Sequence, residues 1–156
     1  MRQLLLLCGL VASLLPQAGA ARTDRDAAVR EGPITHALRA LGTRYRYGGA
    51  SPETGFDCSG LIAHVFEQAG RAVPRTARAQ SRVGTPVKRA HLAPGDLVFY
   101  NTRNAPYSHV GMYLGNGRFV HAPKPGARVR IERLDTPYWR TRFNGARRLG
   151  IDNSSH

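Results

Sequence analysis

The stretch that decides the fold is His109-Val110-Gly111-Met112-Tyr113-Leu114-Gly115-Asn116-Gly117-Arg118-Phe119-Val120-His121-Ala122. It has two runs rich in β-forming residues on either side of an Asn-Gly pair, a pattern typical of a β-hairpin. We therefore predict antiparallel strands over 109–114 and 118–122. With the turn at Asn116-Gly117, His109 and His121 are offset by about three residues, roughly 10 Å along the ribbon. Strand twist, a bulge or an adjacent strand pairing would have to bring their rings together.

Short apolar runs predict further strands on both sides of this hairpin, at 97–100, 129–131 and 147–151. Residues 45–57 contain Gly48, Gly49, Pro52 and Gly55 and are predicted to form a loop. Helical patterns fill the chain before the first strand. Because helices precede an antiparallel sheet, the predicted fold class is α+β, with N-terminal helices packed on the sheet.

Three helices are predicted before the sheet. The first begins at Pro33 and ends at Gly42, and its apolar face is formed by Ile34, Leu38 and Leu41. The second covers 58–69, and its buried stripe is formed by Leu61, Ile62, Val65 and Phe66. A short third helix is capped by Thr76 and extends to Val83.

The first 20 residues are predicted to be a signal peptide, with Arg2 as the positive start, an apolar run over 4–15 and the small residues Ala18-Gly19-Ala20. The run is too short to span a bilayer. Cys8 lies inside it rather than after small residues, so we expect no lipid anchor. We predict an exported protein of the periplasm or cell envelope, with a flexible lead-in (21–32), one domain (33–152) and a polar tail (153–156).

The chain is strongly basic, with 23 Lys and Arg against 10 Asp and Glu and a formal net charge of +13. Loss of the predicted signal peptide, in which Arg2 is the single charged residue, would lower this charge by one to +12. A hydrophobic content of 42% excludes a wholly disordered chain. The basic residues are scattered and no nucleic-acid-binding motif is visible, so we expect no specific nucleic-acid partner. Electrostatic contact with an anionic cell envelope fits this charge better.

Cys58 would be the single cysteine of the mature chain. It lies where a glycine-rich loop meets a predicted helix, and free N–H groups and the helix dipole there lower a thiol's pKa and can hold an oxyanion. Such a nucleophile needs a base with an orienting partner, and His109 and His121 are the candidates. The residues alone equally allow a Cys58 that only fills space and a His121 that is a hydrogen-bonded core histidine.

The remaining histidines give no indication of a metal site. His36, His64 and His91 are not at metal-ligand spacing with one another. We expect no metal and no cofactor.

Six short segments resemble, in order, those of the NlpC/p60 cell-wall peptidases. They are Tyr45-Arg46-Tyr47-Gly48-Gly49, Gly55-Phe56-Asp57-Cys58-Ser59-Gly60, Pro74-Arg75-Thr76, Pro94-Gly95-Asp96-Leu97-Val98-Phe99, Ser108-His109-Val110-Gly111-Met112-Tyr113-Leu114-Gly115 and Phe119-Val120-His121-Ala122. The resemblance covers about 34–150. Pro137-Tyr138-Trp139 followed by Arg147-Arg148 is similar to the small periplasmic murein endopeptidases of that family.

The resemblance implies a papain-like α+β fold with Cys58 as nucleophile, His109 as general base and His121 as the residue that orients it. It also implies that Tyr45 lines the site near the nucleophile.

The resemblance further implies that Asp57, Ser59 and Arg75 contact substrate. Asp57 and Ser59 could instead be helix caps, and Arg75 could be a solvated surface charge.

The resemblance implies a cysteine endopeptidase that hydrolyses peptide bonds of peptidoglycan through a thioester. We expect this exported protein to be a monomer. The D-Ala–diaminopimelate crosslink and the D-Glu–diaminopimelate stem bond are both open as the cleaved bond. Two alternatives are an acyl or amide transferase that uses the same thioester and a non-catalytic murein-binding module.

Overall fold

The computed structural model describes residues 31–150. The predicted signal peptide, most of the lead-in and the polar tail lie outside these residues. No helix within 31–150 is long and apolar enough to cross a lipid bilayer.

The N-terminal half contains three helices and a small two-stranded ladder. In chain order these are α1 (Pro33–Arg39), β1 (Ala50–Ser51), β2 (Gly55–Phe56), α2 (Cys58–Gln68) and α3 (Ala77–Gln80). The loop predicted for 45–57 therefore folds back on itself as β1 and β2, which pair antiparallel.

The second half forms a six-stranded sheet in the spatial order β3-β8-β4-β5-β6-β7, with every neighbouring pair antiparallel. The strands are β3 (Thr85–Val87), β4 (Leu97–Tyr100), β5 (His109–Gly115), β6 (Arg118–His121), β7 (Arg130–Arg133) and β8 (Phe143–Arg148). A 3₁₀ turn (Arg89–His91) follows β3, and α4 (Pro137–Arg142) precedes β8. The predicted α+β arrangement is confirmed.

Helix α2 packs on one face of the sheet as predicted. Leu61, Ile62, Val65 and Phe66 are buried in a core that also contains Phe99, Val110 and Met112. The helix ends before Gly70, whose φ of +85° suits glycine. This packing holds the first residue of α2, Cys58, near the beginning of β5.

The apolar face predicted for α1 is wrong at Leu38 and Leu41, whereas Ile34 packs against the core. Leu38 and Leu41 are 42% and 39% exposed, whereas Ala37 and Ala40 are buried, together with His36. α1 packs on α2, and alanines at the contact allow two helices to approach closely. The larger leucines therefore remain at the surface.

Both faces of the sheet are covered. Leu97 and Phe99 of β4 point to the α2 core, while Val98 and Tyr100 join a second core with Trp139 of α4. This explains why all four residues of β4 are buried and show no polar alternation.

Several boundaries differ from the predictions. α3 ends at Gln80 rather than Val83, and β3 (Thr85–Val87) was not predicted. The final strand covers 143–148 instead of 147–151, and β7 covers 130–133 instead of 129–131. α4 was also not predicted, because six residues are too few to show a helical period.

Candidate active site

The two histidines of the predicted hairpin meet on one face of the sheet. His109 Nε2 lies 2.8 Å from His121 Nδ1. Met112 pairs with Val120, and continuing that register by one residue places His121 opposite Gly111. His109 and Gly111 share a face of β5, so the two histidines are diagonal neighbours that can touch. The separation of roughly 10 Å expected from a regular hairpin is therefore wrong.

Two features of the hairpin permit this contact. The register shifts by one residue between Tyr113 and Gly115, which moves His121 one position closer to His109. Gly111 also leaves room, because a Cβ added there would lie 3.2 Å from the His121 Cβ.

Glu132 of β7 lies next to His121, on the side away from His109. The sequence patterns did not identify it as a site residue. Its Oε2 is 2.6 Å from His121 Nε2 and accepts a hydrogen bond from Arg130 Nε at 3.0 Å. Its Oε1 accepts from Trp139 Nε1 at 3.2 Å. Bonding to His121 is the main reason that the pKa of the Glu132 carboxyl falls to about 2, so this group is ionised at neutral pH. His109, His121 and Glu132 thus form a continuous hydrogen-bonded chain.

Cys58 occupies the first position of α2 and is 7% exposed. Cys58 and His109 both line a cavity of about 580 Å³, which also reaches Trp139. Among the hydrogen bonds of residues 31–150, none joins the Cys58 sulfur directly to His109. The nucleophile and base candidates therefore share one cleft that a substrate can enter.

Burial is the main influence on the pKa values of Cys58 and His109. It raises the pKa of the Cys58 thiol, and the N–H groups of Val110 and Ser59 and the charge of Arg103 oppose it only in part. Burial also lowers the pKa of His109 well below its ordinary value, and His121 and Arg103 lower it further. The expectation that the helix start lowers the Cys58 pKa is wrong here, because loss of solvation outweighs it. An uncharged thiol beside an uncharged imidazole is the favoured form.

Tyr45 lines the same cavity as Cys58 and His109 and is 8% exposed. Burial raises the pKa of its phenol, and the neighbouring Cys58 adds to this effect. The hydroxyl therefore remains protonated and can donate a hydrogen bond into the cleft. Its role in the reaction stays a prediction.

Asp57, Ser59 and Arg75 form one network beside the cleft. Asp57 caps α2 by accepting from the Gly60 N–H at 2.7 Å, and it also accepts from the Gly48 N–H at 2.9 Å. Arg75 donates to both Asp57 oxygens at 2.9 Å and to Ser59 Oγ at 3.0 Å. Asp57 is thus a helix cap, and Arg75 is ion-paired rather than freely solvated. Their contact with substrate stays a prediction.

The part of the chain that the structure describes contains no group of three or more His, Cys, Asp or Glu side chains that could hold a metal ion.

Comparison with known proteins identifies the family. The sequence profile of the NlpC/P60 family matches residues 42–148. The chain belongs to the NlpC/P60 family. The matched span contains every candidate site residue, from Tyr45 to Glu132.

Three bacterial relatives are clearly similar in sequence. The murein DD-endopeptidase MepH of Escherichia coli K12 is 40% identical over 116 residues, which cover 72% of this chain and 43% of MepH. The murein DD-endopeptidase/LD-carboxypeptidase MepS of the same strain is 43% identical over 109 residues, covering 69% of this chain and 56% of MepS. The gamma-DL-glutamyl hydrolase of Bacillus subtilis 168 is 41% identical over 134 residues, covering 84% of this chain and 32% of that enzyme. The chain thus spans about a third to somewhat over half the length of these relatives.

Solved NlpC/P60 structures share the fold. A family member from Bacillus cereus superposes with a TM-score of 0.70 at 36% identity, over 74% of this chain and 38% of that one. The NlpC/p60 domain of the peptidoglycan hydrolase SagA gives a TM-score of 0.65 at 32% identity, over 79% of this chain and 97% of the domain.

Proposed function

We propose that this NlpC/P60 protein is a cysteine endopeptidase that hydrolyses peptide bonds in peptidoglycan. The observation that carries the proposal is the shared cleft, in which Cys58 at the start of α2 faces the same space as His109, whose ring contacts His121 at 2.8 Å. The names of the relatives MepH, MepS and SagA support peptidoglycan as the substrate class.

The reaction begins with a proton transfer. His109 takes the proton of the Cys58 thiol as the sulfur attacks the carbonyl carbon of the peptide bond. This order fits the neutral resting pair, because the raised pKa of the buried Cys58 thiol and the lowered pKa of the buried His109 ring leave little thiolate before substrate arrives. The carbonyl oxygen becomes an oxyanion, which the Cys58 backbone N–H and the Tyr45 hydroxyl stabilise.

The second half of the reaction releases the products. The imidazolium of His109 gives its proton to the leaving amine as the carbon–nitrogen bond breaks, and a thioester remains on Cys58. His109 then takes a proton from water as the water oxygen attacks the thioester. The carbon–sulfur bond breaks and His109 returns the proton to the Cys58 sulfur, which gives a carboxylic acid and a free thiol. No net redox change occurs.

The cleft is suited to a carboxylate-rich peptide. Arg103, Lys124 and Arg130 line it, and Tyr138 and Trp139 add aromatic surface. Guanidinium and ammonium groups bind carboxylates such as those of stem peptides. We propose that Asp57, Ser59 and Arg75 form a further part of the substrate surface, since they line an adjoining cavity together with Cys58.

We propose the D-Ala–diaminopimelate crosslink as the cleaved bond, following the relatives named as murein DD-endopeptidases. The relative named as a gamma-DL-glutamyl hydrolase keeps the D-Glu–diaminopimelate bond as the second candidate. We also propose that the chain is exported, acts as a monomer and meets the anionic envelope through its net positive charge.

The test is to incubate residues 21–156 with intact peptidoglycan and resolve the products by mass, beside the Cys58→Ser variant. Loss of crosslinked dimers identifies crosslink cleavage, and shortened stems identify the D-Glu–diaminopimelate bond. Products that carry an added amine would identify a transferase. Binding without any new product, equal in both proteins, would identify a murein-binding module and contradict the proposal.

A further inference from the structure

The carboxylate of Glu132 has three hydrogen-bond partners, and two of them can only donate. Arg130 and Trp139 carry N–H groups and no acceptor, and they occupy one lone pair on each side of the carboxylate. They hold the carboxylate in place on the far side of His121 from His109. An ionised carboxylate can only accept, so the 2.6 Å contact requires the proton to be on His121 Nε2.

The position of the proton on His121 in turn fixes the position of the proton on His109. A neutral imidazole carries one N–H, so His121 Nδ1 must be an acceptor. The 2.8 Å contact between the rings then requires His109 Nε2 to be the donor. The remaining nitrogen of His109, Nδ1, is left with a free lone pair. It is therefore the nitrogen that can take the Cys58 proton.

We propose that Glu132 is a positioning residue that fixes the tautomers of His121 and His109, so that Nδ1 of His109 is the base. This inference rests on the proposed function and adds a fourth member to the Cys58, His109 and His121 set. The register of the sheet supports it, because β7 pairs with β6 so that Phe119 faces Glu132. Phe119 and His121 share a face of β6, which places Glu132 one diagonal step from His121.

The negative charge of Glu132 also favours the stage of the reaction at which His109 carries a positive charge. When His109 becomes an imidazolium, Glu132 raises its pKa through space, against the effects of His121 and Arg103. Arg130, which lies beside Glu132, opposes this effect at His121. Among the groups that shift the pKa of His109, Glu132 is the one carboxylate.

The variant Glu132→Gln separates tautomer control from simple support. Glutamine keeps the size of the side chain. Its amide oxygen can still accept from the buried Trp139 N–H, which turns its amide nitrogen to His121 Nε2 as a donor, and the exposed Arg130 can bond to water instead. The proton of His121 would then move to Nδ1, and the proton of His109 would move to the nitrogen that should be the base. We expect kcat to fall about 10- to 100-fold with KM within about twofold. This loss is smaller than the ~10⁴-fold effect of replacing a carboxylate bonded directly to the base in a serine triad.

The decisive readout is the tautomer itself, measured from the ¹⁵N chemical shifts of the His109 ring at neutral pH. Wild type should carry the proton on Nε2, and Glu132→Gln should carry it on Nδ1. The matched control is Asp135→Asn, which removes one carboxylate charge from an exposed ion pair with Arg133. This control should leave the tautomer and kcat unchanged.

Three results would overturn the inference. They are a wild-type His109 protonated on Nδ1, an unchanged tautomer in Glu132→Gln, or equal losses of kcat in Glu132→Gln and Asp135→Asn. The wild-type measurement needs no variant, so it decides the question even if Glu132→Gln does not fold. The shifts need no substrate, so a wild type that leaves peptidoglycan intact would contradict the proposed function alone.

Discussion

Gly111→Ala should damage the site from within the sheet. An added Cβ would lie 2.6 Å from Phe119 Cδ2, 2.9 Å from the Val120 carbonyl oxygen and 3.2 Å from the His121 Cβ. Phe119 is fully buried, and Val120 belongs to the β5–β6 ladder. Neither can move aside without shifting β6, the strand that carries His121.

The expected cost follows from overpacking. Adding a methyl group to a closely packed interior costs about 1–3 kcal/mol. A domain of this size loses about 2–4 °C in Tm per kcal/mol, so we expect Tm to fall by about 2–12 °C. A shift of β6 by a few tenths of an ångström also lengthens the 2.8 Å bond between the rings. We expect kcat on peptidoglycan to fall at least tenfold, because His109 loses its orienting partner.

The assay combines thermal unfolding with the rate of muropeptide release. Gly32→Ala is the matched control, because a Cβ there meets nothing within 4 Å. It should change stability by about 1 kcal/mol or less, as expected for a helix N-cap, and leave kcat unchanged. Wild-type Tm and kcat in Gly111→Ala would refute the reasoning.

Four other predictions concern the site and its support. His109→Ala should slow alkylation of Cys58 by iodoacetamide at neutral pH at least tenfold, and an unchanged rate would count against its role as base. His121→Ala should lower kcat about tenfold or more, whereas His121→Asn should recover part of the activity because an amide oxygen can accept the His109 N–H; equal rates in the two variants would argue against orientation by hydrogen bonding. Burial holds the pKa of His109 well below 6.5 in the folded state. The stability that the neutral His109 ring contributes is therefore present above pH 6.5 and is lost as the pH falls below that value. The urea midpoint of wild type should drop more between pH 7 and pH 5 than that of His109→Asn. Arg75→Ala removes the paired hydrogen bonds to Asp57. It should lower the unfolding free energy by about 1 kcal/mol, since this ion pair is part-exposed. A KM that stays at the wild-type value would leave Arg75 with a structural role only.

Local sequence patterns predicted the elements that local contacts form. Asn116-Gly117 gave the hairpin because a two-residue turn needs those residues. The stripe containing Leu61 and Phe66 gave α2, which is long enough to show its period. Cys58 could be placed at the start of α2 for the same reason.

Features set by distant pairing could not be predicted. The meeting of His109 and His121 depends on a one-residue register shift near Gly115, which leaves no mark in the hydrophobic pattern. Glu132 reaches His121 only because β7 pairs with β6. Its carboxylate follows the predicted strand 129–131 directly, but nothing in the sequence indicates its partner.

The exposed leucines of α1 show a different limit. Leu38 has the spacing of a buried face, yet the smaller Ala37 and Ala40 are the residues that are buried. The pKa of Cys58 shows a third limit, because the helix start was visible in the sequence and the depth of burial was not.

The central claim is that Cys58 attacks the peptide bond and carries a thioester. The most direct measurement is the mass of the intact protein, quenched in acid within the first turnovers on a purified crosslinked muropeptide and then mapped by digestion. The account predicts an acyl adduct on Cys58, present in wild type and missing in Cys58→Ser, which should also release no product. Wild-type product release by Cys58→Ser, or an adduct on another residue, would contradict it.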